Sequence, residues 1–89
     1  MRSTPLTSAQ IRAARALLRW SAERLAQVSA VGLTTIRRAE LTEQATSMTV
    51  ANDLAIRRAL ESAGVEFIDE DGGGPGVRLT KARKEKSRK

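Results

Sequence analysis

Apolar side chains recur at helical spacing in several stretches of the chain. Ile11, Ala14, Leu17 and Leu18 form the first stripe, and Thr7 with Gln10 three residues on makes a capping box before it. Together they predict a first helix over roughly Ser8 to Arg19. Pro5 stands ahead of the cap, where it does no harm. Ser21 caps a second, short helix running to about Ser29, with Glu23 in its first turn where the macrodipole favours an acid and with Leu25 and Ala26 as its buried face. A brief connection, Ala30-Val31-Gly32, leads into a third helix from Leu33 to about Leu41, whose inward residues are Ile36 and Ala39.

Leu41 to Met48 is polar and irregular. Thr49 or Ser47 then caps a fourth helix with the stripe Ile56, Ala59, Leu60 and Ala63, and Gly64 ends it. Beyond Gly64 the pattern shifts to two short β-prone runs, Val65 to Asp69 and Val77 to Thr80, separated by a glycine-rich stretch from Glu70 to Gly76. This predicts a β-hairpin with a long loop. Two isolated strands are marginal in water, so the hairpin must pack on the helices or join strands of another chain. The last nine residues, KARKEKSRK, hold no apolar side chain except Ala82 and predict a disordered basic tail. The expected organisation is one mainly α domain over residues 1–80, with the hairpin at about 65–80, followed by the tail at 81–89.

With 89 residues the chain has room for a single core. Trp20 and Phe67 are its only aromatic rings, so that core must be aliphatic. A domain of this size buries only roughly 60 to 65% of its unfolded surface, which makes dimerisation energetically useful. Absence of cysteine excludes disulfides and thiolate metal sites, and absence of histidine removes the commonest general base and metal ligand. No acid, base and nucleophile constellation stands out, so no catalytic residue, cofactor, metal or small-molecule substrate is expected. The first ten residues, MRSTPLTSAQ, lack an apolar signal core, and no run approaches the ~20 apolar residues of a membrane span. A cytoplasmic protein without membrane contact is the expectation. Sixteen Lys and Arg against ten Asp and Glu give a net charge of +6, which favours a polyanionic partner, although the tail carries much of that charge.

The segment from Leu25 to Glu40 is the most informative. Two short helices joined by a three- or four-residue turn can lay the second across a major groove, whose width of about 12 Å admits one helix. On that second helix Leu33, Thr34, Arg37 and Arg38 lie off the Ile36 face and should point outward. Threonine can bond a base edge or touch a thymine methyl, leucine can touch the same methyl, and arginine can fork onto guanine or hold phosphate. The competing reading is an ordinary helical hairpin with a solvated charged face.

Residues Ile11 to Glu40, with Leu25-Ala26, Val31, Ile36 and Glu40 at the pattern's positions, resemble the helix-turn-helix of the xenobiotic-response-element type, the group of phage 434 repressor and Cro. The fourth helix and the segment Ala59 to Ile68 further resemble small regulators of this type from rhizobia and related bacteria. The resemblance implies a four- to five-helix 434-repressor-like domain that binds double-stranded DNA. Ser21, Thr35 and Arg37, with the amides at the start of the second helix, would position the DNA backbone, and Leu33, Thr34 and Arg38 would choose bases. Arg15 falls on the stripe of Ile11, Ala14 and Leu18, and Glu40 falls one turn beyond Ile36, so both charges point inward and should pair. The resemblance implies the same pair. Three departures weaken particular contacts: Ala22 replaces a phosphate-anchoring glutamine, Ala30 a turn glycine, and Gly32 the Ser or Thr cap of the recognition helix. Glu43 also stands where a basic residue is common.

The remaining motifs are weak. GGGPG lacks the lysine and Ser/Thr of a phosphate-binding loop and lies between strands. Asp69, Glu70 and Asp71 lack the spacing of a calcium loop. The tail contacts phosphates or nothing. A homodimer on a palindromic operator, repressing or activating transcription, is the expected assembly, with Val65, Phe67, Ile68, Val77 and Leu79 as the dimer surface because the hairpin needs cover. The rival is a degenerate helix-turn-helix that binds another regulator, as an antiactivator or antitoxin would. Val28, Leu33 and the missing anchor at Ala22 favour that rival.

Overall fold

Capping chemistry and apolar spacing lay out a mainly α chain of four helices followed by a two-stranded antiparallel hairpin. The computed structural model describes residues 5–42, 46, 48–69 and 72–80. The elements are α1 (Ser8–Leu18), α2 (Ala22–Ser29), α3 (Leu33–Leu41), α4 (Val50–Ser62), β1 (Val65–Ile68) and β2 (Gly76–Leu79).

The Thr7 hydroxyl accepts from Gln10 N at 3.1 Å while the Gln10 side chain accepts from Thr7 N at 3.0 Å, so both amides at the start of α1 are satisfied. Leu6 and Ile11, the residues either side of that box, are fully buried, which are the positions of a hydrophobic staple. Leu6 N also donates to Asp53 Oδ1 of α4 at 3.1 Å. The helix stops at Leu18, one residue before the expected end, because Arg19 turns left-handed at φ 61°. Ile11 and Ala14 are fully buried, but Leu17 is 41% exposed, contrary to its expected place in the stripe. Steps of 100° put Leu17 about 90° round the helix from the centre of that stripe, on its rim.

Ser21 caps α2 by accepting from Arg24 N at 2.9 Å. The face of α2 in the core is Ala22, Leu25 and Ser29, with Ala26 only half buried. Buried Ser29 donates to Leu25 O at 2.7 Å and accepts from Val31 N at 3.2 Å, so a polar residue in this face stays satisfied. Ala30 ends the helix in the left-handed region at φ 62°, a conformation that glycine would adopt without a Cβ penalty. Ile36, Ala39 and Glu40 are the buried residues of α3.

Thr49, the cap of α4, accepts from Asn52 N at 3.1 Å; Ser47 lies outside the described residues. Ile56, Arg57, Ala59 and Leu60 are buried, and Gly64 follows at φ 107°. Ala63 is half buried, while Arg57 takes an inward place that the apolar pattern passes over.

The hairpin pairs Val65 with Leu79 and Ile68 with Gly76, and both strands are one residue offset from their expected ends. It leans on the chain's own helices. Gln10 Nε2 of α1 donates to Ile68 O at 3.3 Å and Gly76 O at 3.1 Å, and the Arg57 guanidinium of α4 stands 5.0 Å over the Phe67 ring. Val65 is buried, and Phe67 and Val77 pack against the helical core. Glu66 and Arg78 pair on the opposite, exposed face of the hairpin at 3.0 Å. Residues 81–89, where a disordered tail is expected, lie outside the described residues, as do Glu43, Glu70 and Asp71.

Candidate nucleic-acid interface

Between α2 and α3 the chain has only Ala30, Val31 and Gly32. Val31 is 5% exposed and anchors the turn in the core, while Leu25 and Ile36, fully buried, join the two helices through it. With Ile36, Ala39 and Glu40 turned inward, the exposed residues of α3 are Thr34, Arg37, Arg38 and Leu41. These recur at i, i+3, i+4 and i+7, one continuous face of the helix.

That face is held from behind by α1. Arg15 Nε donates to Glu40 Oε2 and Arg15 Nη2 to Glu40 Oε1, each at 2.8 Å, and Arg15 Nη1 reaches Trp20 O at 2.9 Å. The hydrogen bond to Glu40 raises the Arg15 guanidinium above its ordinary range, burial opposing it. Arg12 Nη1 donates to Glu40 O at 2.6 Å, and the Ser8 hydroxyl donates to Thr42 O. Thus α1 satisfies carbonyls at the C-terminal end of α3 as well as the Glu40 carboxylate.

The sequence-predicted contact residues are not all equally outward. Thr34 and Arg38 are exposed. Leu33 is half buried and packs against the core, so it is a wall of the helix more than a free tip. Thr35 is also half buried. Arg37 is exposed, yet its Nη2 lies 2.9 Å from Glu23 Oε2 of α2. The Ser21 hydroxyl accepts from Arg24 N with one of its two lone pairs and keeps its O–H available as a donor. Beside it Arg24 stands 5.6 Å over the ring of half-buried Trp20. Gly32 begins α3 without a side-chain cap. Ala22, expected as a vacant phosphate anchor, is 6% exposed and belongs to the core.

The five residues of the expected dimer surface differ in exposure. Val65 is 2% exposed, and Phe67 and Val77 pack on the same core, because α1 and α4 already cover the hairpin. Ile68 is half buried; Leu79 alone of the five is exposed.

Sequence reasoning missed Leu6, although an apolar residue just before a capping box is the staple signal. It also missed Arg57, which lies 3.6 Å from Glu61 and 3.8 Å from Asp69, and the pair Glu23–Arg37. The i, i+4 spacing of Arg57 and Glu61 was readable; Glu23 and Arg37 lie on different helices, and no local periodicity links them. Among the described residues no group of three or more His, Cys, Asp or Glu could hold a metal ion, and no helix is long and apolar enough to cross a membrane. No protein-family model matches the chain, and no curated protein matches it.

Proposed function

We propose that this chain is a double-stranded DNA-binding transcription regulator of the 434-repressor-like helix-turn-helix type. In this reading α2, the turn and α3 are the helix-turn-helix, residues 1–80 are one domain, and the protein acts in the cytoplasm as a homodimer on a palindromic operator. The observation that carries it is the exposed stripe Thr34, Arg37 and Arg38 on a short helix whose opposite face is fixed by Ile36, Ala39 and the Arg15–Glu40 contact. A helix so braced can enter a groove without rearrangement. Phosphate contacts supply most of the affinity, and Ser21 with the first amides of α2 sets the register. No enzymatic role is proposed.

A mobility-shift assay at stated salt tests this reading. The native chain should retard duplex DNA, and the double variant Arg37→Ala/Arg38→Ala should lose retardation while melting at the native temperature. Unchanged retardation by that variant would exclude α3 as the contact.

The second reading, an interaction protein that has given up DNA for another regulator, is favoured by Leu41 at 82% exposure on the same face and Val28 at 44% exposure on α2. It requires that the native chain bind no duplex at any salt concentration while still altering transcription.

A further inference from the structure

We infer that Glu23 sets what Arg37 does on DNA: held by Glu23, Arg37 reads a base edge, while its neighbour Arg38 supplies the phosphate contact. This rests on the DNA-binding reading above and reverses the division of labour that the sequence suggests for the two arginines.

Glu23 lies in the first turn of α2, where the helix dipole favours a carboxylate, and its Oε2 accepts from Arg37 Nη2 at 2.9 Å. The two side chains are 61% and 56% exposed, so a duplex docked on α3 would meet the pair itself. Arg38 is exposed one residue on, and among the described residues it makes no ion pair. The two arginines thus stand on one helix face with different electrostatic surroundings.

A phosphate that approaches Arg37 also approaches the Glu23 carboxylate bonded to it, and the like charges repel. Guanine brings no such repulsion. Its O6 and N7 are uncharged acceptors, and a guanidinium with one donor on Glu23 retains enough of its five N–H groups to fork onto both. The Glu23–Arg37 pair is a neutral unit that fits a base edge and is a poor phosphate clamp. Arg38, with no carboxylate partner among the described residues, is drawn to phosphate. Glu23 thereby keeps Arg37 off arbitrary DNA and raises the ratio of specific to non-specific binding.

Sites selected from random duplex, together with the salt dependence of affinity, test this on Glu23→Gln, Arg37→Ala and Arg38→Ala. All three positions are exposed, and matched melting temperatures show that the variants fold. Arg38→Ala should weaken binding to every sequence and reduce the log–log salt slope by about one. Arg37→Ala should leave the slope nearly unchanged and relax the preference at one guanine by roughly tenfold or more. Glu23→Gln frees Arg37 for phosphate, so affinity for random duplex should rise about two- to fivefold, the slope should steepen by about one, and the preference at that guanine should flatten. The inference is overturned if Arg37→Ala lowers affinity uniformly, takes about one from the slope and leaves the selected sequence intact. It is overturned equally if Arg38→Ala weakens binding while Glu23→Gln changes neither slope nor preference; in that case the DNA-binding reading stands. A native chain that selects no duplex removes both.

Discussion

Arg15 and Glu40 meet through two hydrogen bonds of 2.8 Å, Nε to Oε2 and Nη2 to Oε1, which clamp the inward edge of α1 to the last turn of α3. Their side chains are 23% and 9% exposed, so each charge depends on the other for much of its solvation. The exposed face of α3 inherits its orientation from this contact.

Removing one partner strands the other charge. Glu40→Ala should therefore cost roughly 2–3 kcal/mol, below the range for fully buried pairs because Arg15 keeps some water. The double variant Arg15→Met/Glu40→Leu should lose less than Glu40→Ala alone, since no charge is left to solvate. Urea midpoints of the native chain and the two variants decide the matter, and a larger loss in the double variant than in Glu40→Ala would contradict a coupled pair. The raised Arg15 pKa means that its contribution is fully present below the ordinary arginine range and is lost only as pH rises through the still higher folded value. No loosening of the clamp through Arg15 is expected at neutral or acid pH.

Ala30 is held at φ 62° where α2 ends, and a methyl group in the left-handed region costs about 1 kcal/mol. Ala30→Gly should raise stability by about 0.5 kcal/mol once the larger backbone entropy of unfolded glycine is subtracted. Ala30→Val should lower it. A thermal melt of each variant checks the sign, and a loss of stability in Ala30→Gly would mean that the turn does not adopt this conformation in solution.

Leu6 and Leu17 offer a contrast in burial. Leu6 precedes the helix yet is fully buried, whereas Leu17 sits within α1 and is 41% exposed. Leu6→Ala should cost roughly 2–4 kcal/mol by leaving a cavity, and Leu17→Ala should change stability by less than about 0.5 kcal/mol. Comparable losses at the two positions would show that Leu17 is covered in solution.

The Arg78 guanidinium, bonded at 3.0 Å, lowers the Glu66 pKa, chiefly through that hydrogen bond and then through its charge. A carboxylate with a lowered folded pKa contributes stability above its unfolded value and loses it as pH falls through the folded one. The hairpin should therefore loosen at acid pH, weakly and with strong salt screening, because both side chains are exposed. Nuclear magnetic resonance titration of Glu66 should give a midpoint that returns toward the ordinary glutamate value in Arg78→Ala. An unmoved midpoint would show that the pair is absent in solution.

Local chemistry was readable where it is local. The Thr7–Gln10 box, the Ser21 and Thr49 caps, Gly64 after α4 and the inward places of Ile36, Ala39 and Leu60 all follow from steps of 100° and from hydroxyl geometry. What covers what was less legible. Leu17 lies on the rim of its stripe, and its burial depends on a neighbour that does not reach it. The hairpin pattern by itself predicts a surface at Val65 in need of cover; Gln10 and Arg57, both polar and both outside the apolar pattern, help to bind the hairpin to the helices. At the candidate interface the outward places of Thr34, Arg37 and Arg38 are a matter of periodicity, whereas the Glu23 partner of Arg37 is set by the crossing of α2 and α3.

The most direct measurement is nuclear magnetic resonance mapping of the native chain with a short duplex. The expected result is a set of salt-sensitive perturbations centred on Thr34, Arg37, Arg38 and the start of α2 at Ser21, with Ile36 and Ala39 moved little. Perturbations confined to the hairpin around Leu79, or none at low salt, would contradict the assignment of α3 as a DNA-contacting helix.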